Sequence, residues 1–167
     1  MNRPHPANDH PLDIPATMLD YLEQQHVLPL AVCVNQQVWA ASVFYALDRR
    51  KGLLVFLTDP DTRHGMGAVR HPRVAGTVSD QSLDVASLQG LQLTGIATAV
   101  ADAELCRELR AIYDRHFPFA LGRLSVLWQL QLEYLKLTDN RRGFGHKTSW
   151  SRTSTGHSAR SERHGPH

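Results

Sequence analysis

Residues 52–79, GLLVFLTDPDTRHGMGAVRHPRVAGTVS, decide the fold. Leu53-Leu54-Val55-Phe56-Leu57 is a continuous apolar run of strand length. It stops at Thr58, and Asp59-Pro60-Asp61 reads as a turn. The pattern predicts a short helix over 62–71, ended by Pro72, because the residue before a proline is pushed out of the α region. A second strand is predicted over 73–78. This strand–helix–strand unit gathers Thr58, Thr62, Arg63 and His64 where strand gives way to helix. Free backbone N–H groups and the positive end of the helix dipole point to the same place. It is therefore a candidate phosphate site. The threonine hydroxyls can donate hydrogen bonds, Arg63 a charged fork, and His64 a hydrogen bond or a proton. Arg70 falls two turns further on, on nearly the same face as Arg63. The plainer reading of the spacing is a surface helix capped by Asp61, with Arg63 in solvent. Asp59 and Asp61 would repel a phosphate unless their carboxylates point away.

Upstream, a helix is predicted over 15–26, with Pro15 suited to its first turn. Met18, Leu22 and His26 share its apolar face, flanked by Leu19 and Tyr21. Strands are predicted over 30–35 and 38–47, joined as a hairpin across Asn35-Gln36-Gln37, with no Asn-Gly or Asp-Gly to set the turn type. In the second of these Trp39, Ala41, Val43 and Tyr45 share one face, and Ala40, Ser42 and Phe44 the other. Downstream, 80–90 reads as a loop and 91–100 as a strand, with Gly95 marking a bulge or a close approach. A helix over 103–116 carries Leu105, Cys106, Leu109, Ile112, Tyr113 and His116 at helical spacing. The last strand, over 126–137, alternates Trp128, Leu130, Leu132 and Tyr134 with Gln129, Gln131 and Glu133. About six strands without strict βαβ alternation point to an α+β domain on a closed, mostly antiparallel sheet.

A chain of 167 residues is one domain with tails. The boundaries expected are a loose arm over 1–13, a folded domain over 14–150, and a disordered tail over 151–167 that is rich in Ser, Arg, His and Gly. Arg152, Arg160 and Arg163 against Glu162 carry the whole formal charge of +2. The folded part is thus near neutral, which argues against a nucleic-acid partner. No apolar run is long enough to span a membrane, and the N-terminus lacks a secretory h-region. Cys33 and Cys106 read as buried thiols, consistent with a reducing cytoplasm. None of the 10 histidines has metal-ligand spacing. Cys106 and His116 lie about 15 Å apart along one helix, too far to act as a pair. There is no nucleophile elbow. There is also no Walker or Rossmann glycine pattern, since Gly65 and Gly67 come too late.

The run LLVFLTDPDTRHGMGAVRHPRVAGTV resembles the pyridoxamine 5'-phosphate oxidase-like, FMN-binding split barrels, through Thr58, Thr62-Arg63 and His71-Pro72-Arg73-Val74-Ala75-Gly76-Thr77. Residues 132–150, LEYLKLTDNRRGFGHKTSW, are similar to the end of the YhbP-like bacterial group. Phe44-Tyr45, Gly95 and Arg115-His116-Phe117-Pro118 look like that group too. The resemblance covers about 15–150. It implies a six-stranded, mostly antiparallel split β-barrel with flanking helices, acting as a homodimer with two FMN sites at its interface. Thr58, Thr62 and Arg63, with His64 beside them, would then hold the FMN phosphate. The second strand, with Ser42, Val43 and Phe44, would lie along the isoalloxazine. One departure stands out. Many flavin-binding relatives carry Arg-Lys where this chain has Arg63-His64, and a neutral imidazole is not a point charge. The function implied is that of an FMN-dependent oxidoreductase. The alternative is a non-catalytic module for haem, a deazaflavin or another small ligand.

Overall fold

Strand β3 (Leu53–Leu57) sits at the seam of a closed barrel. In the computed structural model, which describes residues 13–120, 125–152 and 160–162, the element order is as follows. Helix α1 (Ala16–Gln24) precedes β1 (Val27–Val34), β2 (Gln37–Asp48) and β3. Helix α2 (Arg63–Arg70) leads to β4 (Arg73–Ser79) and β5 (Gln89–Ala99). Helix α3 (Ala103–His116) then precedes β6 (Leu127–Asp139), β7 (Lys147–Ser151) and β8 (Arg160–Glu162). All pairings are antiparallel, in the order β3-β2-β1-β4-β5-β6-β7-β8, and β3 also pairs with β6. The first six strands therefore form a ring, as the split-barrel expectation required, and β7 and β8 extend it from β6. One edge of β6 lies along β5; the other is shared between β3, at Leu127 to Gln131, and β7, at Tyr134 to Thr138.

The continuous apolar run of β3 follows from burial on both faces, a strand pattern typical of covered sheets. Leu54 and Phe56 point into the barrel, while Leu53 and Val55 pack beneath α3 with Ala46, Leu109, Tyr113, Phe117 and Leu127. Helix α1 seats Met18, Tyr21 and Leu22 in the main core. The Tyr45 hydroxyl ties it down by donating to the Leu22 carbonyl at 2.7 Å. Helix α2 closes onto β1, where Gly67 packs against Val32 and Val34.

Several expectations are corrected. Helix α1 stops at Gln24, so His26 leaves its face and stacks on Phe44 instead. Strand β1 begins at Val27 and runs through Pro29. The β1–β2 turn places Asn35 and Gln36 at φ 51° and 64°, the two positive values that a type I′ hairpin demands, here without a glycine. Tyr134 does not continue the buried face of β6. The register shifts between Thr94 and Gly95, so that Gly95 pairs with Leu132 and Thr94 with Tyr134, leaving Glu133 as the extra residue of a bulge. Past it the alternation changes phase: Tyr134 is exposed while Leu135 and Leu137 are buried. Gly95 serves both roles foreseen for it, since a Cβ there would overlap the Gln131 carbonyl oxygen. Cys33 and Cys106 are only partly buried.

Beyond the strands predicted from sequence, Lys147–Ser151 forms β7. Arg152 follows it. Its backbone N–H donates to the Glu133 carbonyl at 2.7 Å, and its guanidinium donates to the carbonyls of Leu132 at 2.6 Å and Gly52 at 3.2 Å. The chain is thus fastened two residues beyond the expected boundary at 150. Residues 1–12 of the expected arm, and 153–159 and 163–167 of the expected tail, lie outside the described residues. No helix among the described residues is long and apolar enough to cross a membrane.

Candidate functional site

The site forms where β3 ends and leaves one edge of β2 without a strand neighbour. Strand β2 pairs with β1 over its first eight residues, Gln37 to Phe44, and with β3 only over Tyr45 to Asp48. On the β3 side, Gln37 to Phe44 therefore have no strand neighbour. The register places Leu57 and Thr58 just past the last paired rung, Tyr45 with Phe56, beside Phe44 and Val43. Thr58 is held through both of its backbone polar groups. Its N–H donates to the Val126 carbonyl at 3.1 Å, and its own carbonyl accepts from the Trp128 indole at 3.1 Å.

Helix α2 starts five residues on, and its cap is Thr62 rather than Asp61. The Thr62 hydroxyl donates to the Asp59 carbonyl at 2.7 Å and accepts from the Gly65 N–H at 3.1 Å, as an N-cap side chain does. That hydroxyl proton is committed to the turn, so Thr62 shapes the site more than it donates to it. The Arg63 and His64 N–H groups, the first two of the helix, have no intrahelical acceptor. Gly65 lets the turn close tightly, since a Cβ there would overlap the Asp59 carbonyl oxygen.

The four residues singled out around the strand end come together only in part. The His64 Nε2 lies 2.6 Å from the Thr58 hydroxyl and 3.4 Å from that of Thr62. Burial holds the imidazole pKa below its ordinary value. Arg63 turns along the open edge: its guanidinium stacks 4.2 Å from the Trp39 ring centroid and donates to Gln37 at 3.2 Å. Arg70 does not join the group, because it donates to Asn35 in the β1–β2 turn at 3.0 Å. Asp59 and Asp61 are exposed, and no hydrogen bond joins either carboxylate to the cluster among the described residues.

Of the three β2 residues expected along a ligand, Ser42 and Phe44 face outward, with Phe44 48% exposed. The Val43 side chain lies in the barrel core at 6% exposure, so only its main chain can meet a ligand there. Phe44 stacks on His26 and meets Phe117 and Phe119 edge-on or tilted. Trp39, Gln37 and Trp128 were not foreseen as parts of the site. Their partners lie 24 or more positions away in the chain, a separation at which local patterning carries no signal.

The donor set fits a phosphate monoester. It offers two unpaired backbone N–H groups, a buried hydroxyl, an imidazole and an exposed guanidinium around one helix start. The adjoining strand edge offers backbone N–H and C=O groups that could meet the edge of a planar ring.

No family model matches the chain. Proteins of Yersinia pseudotuberculosis and Yersinia pestis named UPF0306 are 41% identical over 133 residues, covering 79% of this chain and 89% of theirs. Solved structures share the fold at lower identity. A heme binding protein from Mycobacterium smegmatis superposes with a TM-score of 0.67 at 19% identity, covering 84% of this chain and 59% of its own. A FAD-binding protein from Mesorhizobium loti gives 0.60 at 16%, covering 74% and 94%. A Listeria innocua chain named for pyridoxamine 5'-phosphate oxidase gives 0.59 at 16%, covering 72% and 94%. The barrel is thus a split-barrel fold shared with these solved structures, and by its sequence the chain belongs to the UPF0306 family.

Proposed function

We propose that the protein binds FMN and acts as an FMN-dependent oxidoreductase. The observation that carries this reading is the meeting of a helix start, rich in phosphate donors, with the stretch of β2 that has no strand neighbour on its β3 side. The phosphate would sit among the Thr58 hydroxyl, the His64 ring, the first N–H groups of α2, and Arg63 swung back from Trp39. The flavin ring would run along Gln37 to Phe44, meeting the main chain at Val43 and the outward side chains of Ser42 and Phe44. Flavin supplies hydride and electron chemistry, and the protein's part is to position it and set its surroundings.

A homodimer belongs to the same proposal. The outward faces of β1 and β2 pair Val27 with Phe44, Pro29 with Ser42, Ala31 with Ala40, and Cys33 with Val38. No charged side chain interrupts this face, Val38 is 86% exposed, and the site lies at its margin. A contiguous uncharged apolar face of this kind marks an interaction surface. Being uncharged, it carries no repulsion against a second copy of itself. Charging it, by Ala40→Glu, should yield monomers in light scattering and lower FMN affinity. A dimer unchanged by that substitution would place the interface elsewhere.

The deciding measurement is the absorbance spectrum of the protein after FMN addition and desalting. Retained flavin bands, reduced in Arg63→Ala, are the expected result. Equal retention by Arg63→Ala would remove Arg63 from the site, and no retention by the parent would refute FMN binding. One observation favours the second reading, a ligand carrier without catalysis. Among the described residues His64 is the only titratable side chain bonded within the cluster, which leaves few groups to move a proton. Bound flavin that no nicotinamide bleaches, or a Soret band in its place, would decide for the carrier.

A further inference from the structure

We infer that His64 takes up a proton when the site takes a phosphate monoester, so that binding is coupled to pH. This rests on the phosphate reading above and concerns how that same site handles charge. The geometry fixes which ring nitrogen carries the first proton, and the anion's field supplies the pull for the second. The Thr62 hydroxyl already donates to Asp59. Of the two threonine hydroxyls at the helix start, the one free to turn its proton to a phosphate is that of Thr58, which is 8% exposed. When that proton points at the anion, the Thr58 oxygen faces His64 Nε2 at 2.6 Å with a lone pair. Nε2 must then carry hydrogen. A dianion beside the ring adds the field that holds the second proton on Nδ1 as well.

In the ligand-free protein the opposite forces act. The ring is half-buried, and burial lowers its affinity for a proton. It also sits at the second position of a helix, where the dipole disfavours a cation. The surroundings leave His64 as the group that answers. Helix α2 packs on β1, β2 and β5. Of these, β1 contributes only Cys33 as a titratable side chain, the 37–44 part of β2 contributes none, and β5 contributes none. From the turn, Asp59 and Asp61 are exposed, and Arg63 and Arg70 on the helix itself are guanidinium cations at every pH in question, so neither has a proton to take up. The ligand class follows: a phosphate monoester such as FMN, preferred over its dephosphorylated form, and held more tightly as pH falls toward the free imidazole's range.

The test is FMN titration by flavin fluorescence between pH 5.5 and 8.5, on the full chain, with riboflavin as the control ligand. Calorimetry in two buffers of different ionisation enthalpy counts the protons. For the parent, Kd for FMN should fall as pH is lowered from about 8 to 6.5, approaching tenfold per pH unit, the limit for one coupled proton. Proton uptake should approach one per FMN near pH 7.5, and riboflavin should show neither effect. His64→Lys should bind tightly with a flat profile over that range. His64→Asn should bind weakly, its profile following only the ligand's own second ionisation near pH ~6, which has the opposite sign. If FMN binds but the parent takes up no proton, or His64→Asn keeps the parent's profile, the coupling is wrong and the phosphate site stands. If no form binds FMN at any pH, the phosphate reading itself fails, and the coupling with it.

Discussion

Replacing Gly67 by alanine tests how α2, and with it the site, is seated. A Cβ at Gly67 would lie 2.8 Å from the Cγ2 atoms of both Val32 and Val34, well inside van der Waals contact. Neither valine can swing aside. Both are stiff at χ1 and lie in the core at 3% and 9% exposure. Two effects oppose each other. Intrinsic helix propensity favours alanine over glycine by about 0.8–1 kcal/mol. Forcing a methyl into a filled core costs about 1–3 kcal/mol. Because the contact is double and both neighbours are rigid, the overpacking should win. The net loss is on the order of 1 kcal/mol, or ~2–4 °C in Tm for a domain of this size. The strain can relax only by lifting α2 from β1, which shifts Thr62, Arg63 and His64 relative to Thr58, so FMN affinity should fall in parallel. Urea unfolding followed by tryptophan fluorescence reads the first effect and FMN titration the second. Val32→Ala in the Gly67→Ala background should recover part of the loss, with a coupling energy above ~0.5 kcal/mol. A Gly67→Ala protein more stable than the parent would refute the seating of α2 directly on β1.

Three further outcomes follow from the same geometry. A chain ended after Arg152 loses β8, which pairs with β7 over three residues, and should melt close to the full chain. One ended at Trp150 should lose roughly 2–3 kcal/mol, because a charged donor to the Leu132, Lys51 and Gly52 carbonyls disappears; equal melting of the two would show that Arg152 fastens nothing. Trp39 is 40% exposed while Trp128 and Trp150 are at 1% and 2%, so iodide should quench only the Trp39 emission, and Trp39→Phe should abolish that quenchable fraction. Without ligand, stability should decline as pH falls below about 6.5. The lowered His64 pKa means that the unfolded chain binds more protons in the window between its own pKa and the folded one. His64→Gln should flatten that part of the profile in pH-dependent urea melts, and an unchanged slope would assign the decline to other groups.

What was legible in the sequence is local. The run Leu53 to Leu57, the proline after the helix and the pairs of apolar and polar positions along β2 are short-range patterns. Each determined an element and its faces, because hydrophobic periodicity reports burial within one strand or helix. Thr58, Thr62 and His64 could be grouped from sequence because a tight turn makes neighbours of residues six positions apart. The resemblance to split barrels carried the ring of six strands further than patterning could. It did not reveal which of the clustered side chains face the site.

Tertiary structure decided the rest. Thr62 proved to be the cap, its hydroxyl proton already used, a fact that depends on the Asp59 carbonyl rather than on residue type. Val43 turned inward and Ser42 and Phe44 outward because the register of β2 against β1 sets which face meets the core. The phase change at Glu133 came from a bulge opposite Gly95, and no window of β6 alone records what its partner strand does. Arg152 became part of the fold because the carbonyls it reaches, Leu132 and Gly52, lie 20 and 100 positions away. The sequence alone determined where strands and helices run and which of their faces are apolar. The tertiary structure decided where β2 loses its neighbour and leaves an edge beside Thr58, because an unpaired edge is a property of two strands and their register, not of either one.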